Sequence, residues 1–158
     1  MIPAFWCALL VAQTTPEPAK LTIAGDVSPS VTLTAEDFAK MPRETVSVQD
    51  QDGSQISYEG VPLAEILKKA GVSFGHDMRG KALAGYLLAS AKDGYQVVFS
   101  LGELDPGLGG ARVIVADKHD GKALFGYQGP LRLVVATDKA PARSIRMLEK
   151  LEIVKLRR

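Results

Sequence analysis

The chain has 158 residues, of which 46% are hydrophobic and 23% charged, and its formal net charge is +1. That is enough sequence for one domain with its own core, and a charge so close to neutral gives no electrostatic case for nucleic acid or an anionic membrane surface. Aromatic residues make up only 6%, which also argues against a base-stacking surface.

The opening run "MIPAFWCALLVAQ" is apolar and too short to span a bilayer, so no transmembrane span is expected. It leads into the polar "TTPEPAK" and has the apolar region and small-residue cleavage site of a secretory signal, with Ala12 last before the cut. No basic residue precedes it, so an ordinary apolar N-terminal strand or helix is the competing reading. Residues 1–12 are assigned as the signal segment and 13–20 as a linker, because Thr, Pro and Glu build no core. Residues 21–158 form the folded domain, expected to be periplasmic or secreted. The sole cysteine, Cys7, lies in the signal. The mature chain would therefore have no internal disulfide and no thiolate metal site.

"KLTIAGDV" and "SVTLT" read as strands around a turn. Thr34 then opens a helix over "AEDFAKM", with Asp37 at the capping-box position, and Pro42 stops it. "ETVSVQ" alternates with period two as a strand and returns through an Asp52-Gly53 hairpin into "SQISY". A helix begins with Pro62 at its first position, places Leu63, Ile66, Leu67 and Ala70 on one face, and ends at Gly71. "SFGHDMRGK" is a polar loop. "ALAGYLLASA" and "YQVVFSL" pair across an Asp93-Gly94 turn. "GELDPGLGG" is a helical turn breaking into a glycine-rich loop. "ARVIVAD", "PLRLVVATD" and "LEKLEIVKL" are the remaining strands, separated by the long loop "KHDGKALFGYQG" and the basic loop "KAPARSIRM". The pattern predicts an α+β fold of mixed or antiparallel sheets with two or three short helices. No dinucleotide or phosphate-loop fingerprint is present.

Four motifs, "YEGVPLAEILKKAGV", "AKDGYQVVFSLGELDP", "GPLRLVVATD" and "ARSIRMLEKLEIVKL", occur in order. Together they resemble the oxidoreductase molybdopterin-binding domain, the catalytic domain of the sulfite oxidase family, in its small, secreted, single-domain bacterial form. The resemblance runs from Leu21 to Leu156. It implies the sulfite-oxidase-like molybdopterin-binding fold and a molybdopterin cofactor whose metal takes a sulfur ligand from a protein cysteine. In the family that cysteine lies between the strand matching "TVSVQ" and the "GVPL" corner. Here the interval "VSVQDQDGSQISYEGVPL" holds no cysteine, and Asp or Gln cannot reproduce a soft thiolate donor. Asp50 and Asp52 are hard oxygen donors, but their place beside Gly53 is what a hairpin turn requires.

The resemblance also implies a basic loop that grips the cofactor's phosphate end. The matching residues are Arg143, Ser144 and Arg146, with Lys139 adding charge and Met147 where the family has an aromatic residue. Two guanidinium groups and a hydroxyl suit a phosphate, and the competing reading is a merely solvated loop. Asp93 and Tyr95 resemble the family's substrate-side hairpin, although Asp-Gly is equally a turn. Glu103 matches a family position and is equally a capping acid. His76 and His119 stand in separate loops, and no metal site is assigned to them. Arg132, inside a strand, is read as a structural ion pair with Asp138 or Asp117.

The expectation is therefore a sulfite-oxidase-like molybdopterin-binding oxidoreductase domain that has become degenerate through loss of the cysteine ligand. The alternatives are a non-catalytic extracytoplasmic binding module for a small anionic or pterin ligand, and an accessory subunit with a redox partner protein.

Overall fold

The computed structural model describes residues 17–50 and 52–156. The apolar segment 1–12, Cys7 within it, and the first part of the linker lie outside the described residues. Glu17 ion-pairs with Lys92 (2.8 Å), and the first strand begins at Lys20.

Among the described residues, ten strands form two five-stranded sheets. The first sheet contains β1 (Lys20–Gly25), β2 (Val31–Thr34), β5 (Gly85–Ala91), β6 (Gln96–Ser100) and β10 (Leu148–Lys155), in the order β2-β1-β10-β5-β6. The β1–β10 pair is parallel and the others are antiparallel, so this sheet is mixed. The second sheet contains β3 (Glu44–Gln49), β4 (Gln55–Pro62), β7 (Val113–His119) and the two-residue β8 (Lys122–Ala123), in that order, with β9 (Arg132–Val135) also paired to β7. Three short helices, α1 (Ala35–Lys40), α2 (Leu63–Lys69) and α3 (Leu101–Leu104), complete the α+β fold expected from the sequence.

Local chemistry fixes most of these boundaries. Thr34 and Asp37 close a reciprocal capping box on α1. Gly53 takes φ +86° in the β3–β4 hairpin, and the Asp52 carboxylate accepts from the Ser54 N–H (2.9 Å) and hydroxyl (2.6 Å). Asp52 is thus engaged as a turn residue. Pro62 differs from expectation by one step: it ends β4 and serves as the N-cap of α2, with Leu63 first in the helix. The long loop expected between β7 and β9 contains β8, whose pairing to β7 spans only two residues and leaves no readable period.

Alternation on β7 shows how the sheets are layered. Val113 and Val115 join the main core with Leu21, Ile23, Leu87, Leu151 and the buried face of α2. Ile114 and Ala116 point the other way, into a smaller cluster with Val46, Tyr58, Leu124 and Val134. The second sheet is therefore covered on both faces, and each fully buried Leu or Ile contributes about 1.5–3 kcal/mol. Gly60 marks the tightest crossing. A side chain there would collide with the Val115 carbonyl, at a bulge in the β4–β7 ladder. Among the described residues no helix is long and apolar enough to cross a membrane.

Candidate ligand-binding site

The smaller cluster opens into a cavity of about 270 Å³. Its walls come from Ser47, Val48 and Gln49 of β3, Gln55 and Tyr58 of β4, the end of β9, and the stretch from Ala136 to Ser144. Three strands and a 3₁₀ turn at Pro141–Arg143 therefore frame one concavity beside the β3–β4 hairpin.

Arg132 is the unusual residue in it. All four residues of β9 are buried. Leu133 and Val135 face the main core and Val134 faces the smaller cluster, so the pleat places Arg132 on the Val134 side. Arg132 is only 9% exposed. One Nη donates to the Gln128 side-chain oxygen, and the guanidinium lies 5.0 Å above the Tyr58 ring. Its Nε is buried with no hydrogen-bond partner. The expected ion pair with Asp138 or Asp117 does not form, because each carboxylate is taken by another arginine: Asp138 by Arg143 and Asp117 by Arg43. Burial pulls the Arg132 pKa below the ordinary arginine value, and repulsion from nearby Arg146 adds to the shift. The same burial pushes the Tyr58 hydroxyl up.

The other candidate residues separate into two groups. Lys139 and Ser144 line the cavity with Arg132. The Ser144 hydroxyl already accepts from the Val135 N–H (3.1 Å), which locks the turn to β9. Arg146 stacks 5.3 Å from the Tyr127 ring. Arg143 does not line the cavity. It bonds Asp138 through Nε and Nη (2.8 and 2.7 Å) and Glu103 (2.7 Å), and sits 4.9 Å over Phe99. The two carboxylates raise its pKa further. Asp93 accepts from the Tyr95 N–H (3.0 Å) as a turn residue, and the Tyr95 hydroxyl donates to the Ala142 carbonyl (2.8 Å). This hairpin therefore braces the 3₁₀ turn from outside the cavity. The Glu103 N–H donates to the Ser100 cap hydroxyl (3.1 Å), and its carboxylate accepts from Arg143. His76 meets Arg79, while His119 pairs with Asp120 and tilts 5.3 Å from Tyr58.

The Arg143 cluster gives a pH test. The hydrogen bond from Arg143 lowers the Asp138 pKa below its ordinary 3.8. A lowered carboxylate pKa contributes stability that is complete above the unfolded value and is lost as pH falls through the folded one. Arg143→Ala should therefore lower the Tm at pH 7, and the gap to the wild type should shrink below pH 3.8 in melts followed by circular dichroism.

The cavity's lining suits an anion: a buried guanidinium with an unused N–H, Lys139 and the Tyr58 hydroxyl, with its one carboxylate, Asp138, already taken by Arg143. No cluster of three or more His, Cys, Asp or Glu side chains able to hold a metal ion occurs among the described residues. The sequence reading missed Arg132, Gln128 and Tyr58 as a unit. The available signal was a charge inside the uninterrupted apolar run of "PLRLVV".

Comparison with known proteins adds the lineage. Among solved structures, the sulfane dehydrogenase SoxCD from Paracoccus pantotrophus matches with a TM-score of 0.66 at 21% identity, over 85% of this chain and 38% of that one. The fold is thus shared, while this chain spans well under half of the SoxCD chain. No curated protein matches. The profile of the oxidoreductase molybdopterin binding domain matches residues 8–158, and the chain therefore belongs to that family of molybdopterin-binding oxidoreductase domains.

Proposed function

We propose that this chain is an extracytoplasmic binding module of the family: it holds the phosphorylated pterin of a molybdopterin-type ligand in the Arg132 cavity and supplies no thiolate to a metal. One observation carries the reading. Arg132 is buried with an unpartnered Nε beside a cavity, and among the described residues no carboxylate bonds its guanidinium, although the charge of Asp50 attracts it. A buried cation left in that state is costly unless something anionic completes it. A phosphate supplies the missing acceptor in the paired geometry a guanidinium prefers.

The residues fit the anionic end of the cofactor. Arg132 and Lys139 would hold the phosphate, Gln128 fixes the Arg132 fork from behind, and Tyr58 shields its face. In the family, the bound cofactor supplies oxygen-atom and electron-transfer chemistry at its metal. The β3–β4 hairpin, where the family's sulfur ligand would come from, offers Ser47, Gln49, Asp52, Ser54 and Gln55 in its place. Oxygen and amide donors are poor substitutes for thiolate on a thiophilic metal, which supports binding without the usual catalysis. The apolar start of the chain supports an extracytoplasmic site of action.

The test uses full-length protein expressed in cells that make the cofactor. Saturable binding of a phosphorylated pterin, with molybdenum far below one per chain after purification, is the expected result. Stoichiometric molybdenum with turnover of an oxygen-atom donor or acceptor would overturn the non-catalytic part. Absence of pterin binding would overturn the assignment of the cavity.

A further inference from the structure

We propose that a second cleft, at the end of the first sheet, binds a medium-chain fatty carboxylate. The alkyl chain would lie against Leu156 and Ala82, above the closed floor of Val72, Met78 and Leu101, and the carboxylate between Lys81 and Lys155. The cleft has a volume of about 610 Å³ and shares no lining residue with the Arg132 cavity. That volume falls within the roughly 300–1,000 Å³ typical of small-molecule sites.

Its floor is apolar and its rim is cationic. Val72, Met78 and Leu101 are 6%, 2% and 1% exposed, and Leu156 stands 58% exposed at the mouth. Lys81 and Lys155 line the same cleft, and neither ammonium has a hydrogen-bond or ion-pair partner among the described residues. Asp77 is the one acid in the lining, and the Asp26 carboxylate beside it accepts from the Lys155 backbone N–H (2.7 Å) rather than from its ammonium. An apolar trough with an excess of unneutralised ammonium groups matches a ligand with a hydrocarbon body and an anionic head. A neutral apolar ligand would leave the lysines unused, and a polar anion would leave the floor uncovered.

One wall is irregular. The segment between Gly71 and Ala82 folds as two 3₁₀ turns, Gly75–Asp77 and Gly80–Ala84, with Gly75 and Gly80 at φ +74° and +54°. It is tied to the α3 side by the Gly75 N–H bond to Asp105 (2.6 Å). The opposite wall, from α3 and the end of β10, is regular secondary structure.

The full chain is titrated calorimetrically with hexanoate, octanoate and decanoate, each below its micellar concentration. Affinity should rise about threefold per added methylene, as expected for largely buried alkyl carbon. Lys81→Glu with Lys155→Glu, both at exposed positions, should weaken decanoate at least about tenfold while leaving binding of decanol and the Tm unchanged. Three results would overturn the proposal: affinity independent of chain length, charge-reversed protein that binds decanoate like the wild type, or a dimer in light scattering that decanoate does not dissociate. Phosphorylated-pterin binding at the Arg132 cavity should be unaffected by this pair of substitutions, so failure here and failure there are separately visible.

Discussion

Arg132→Met is expected to weaken phosphorylated-pterin binding by roughly tenfold or more and, in the same protein, to raise the Tm. The two effects have opposite signs for one reason. In the free protein the guanidinium is desolvated at 9% exposure, its Nε has no partner, and Arg146 repels it. An unsatisfied buried donor costs about 1–3 kcal/mol. The Tyr58 ring at 5.0 Å and the single bond to Gln128 offset only part of this. Methionine keeps the length and apolar stem without the charge, so it should pack beside Val46, Ile114 and Val134 with little rearrangement. A gain of about 1 kcal/mol would move the Tm up by about 2–4 °C for a domain of this size. Loss of charge-assisted bonds to a phosphate, each about 1.5–3 kcal/mol, weakens binding by roughly tenfold to over a hundredfold. Calorimetric titration and a thermal melt read the two together. A variant that melts lower and still binds would show that Arg132 is a structural residue.

Some of this site could be read from the sequence, and its limits follow from where the interactions come from. The Thr34–Asp37 capping box and the Asp52-Gly53 and Asp93-Gly94 turns are local, and the structure contains each where the residues put it. Alternation in "ETVSVQ" and "LEKLEIVKL" likewise reports one buried face per strand. The parallel pairing of β1 with β10 joins the two ends of the domain, and no local pattern encodes it. Charge pairing is similarly non-local. Arg43 draws Asp117 from 74 residues away, and Arg143 holds Asp138 from five residues away while reaching Glu103 across 40, which removes both acids, Asp117 and Asp138, that sequence reasoning offered to Arg132. The environment of Arg132 depends on Val46, Tyr58, Ile114 and Val134, one from each of four strands. That no described carboxylate bonds it appears only once those strands are assembled.

Asp105→Ala should be the most destabilising single substitution in the loops, about 3–5 kcal/mol. Asp105 is fully buried, an uncommon place for a carboxylate. Its two oxygens accept separately, from the Gly75 N–H at 2.6 Å and the Gly107 N–H at 2.7 Å. Its backbone carbonyl also accepts from Leu108 (3.1 Å) and Gly110 (2.9 Å). One residue therefore closes the glycine-rich loop after α3 and pins the 3₁₀ segment from Gly75 to Ala84 against it. Alanine would strip the Gly75 and Gly107 amide groups, both in exposed glycines, of the acceptor that ties them together, and leave a buried space where the carboxylate stood. Asp105→Asn keeps the shape but exchanges one acceptor oxygen for an NH₂ that faces another N–H, so its loss should be intermediate. Urea denaturation measures the ranking: wild type, then Asn, then Ala. Hydrogen exchange locates it, with protection lost first at Gly75 and Gly107. Equal stability of the Asn and Ala variants would mean that filled volume, rather than the two amide bonds, holds this corner together.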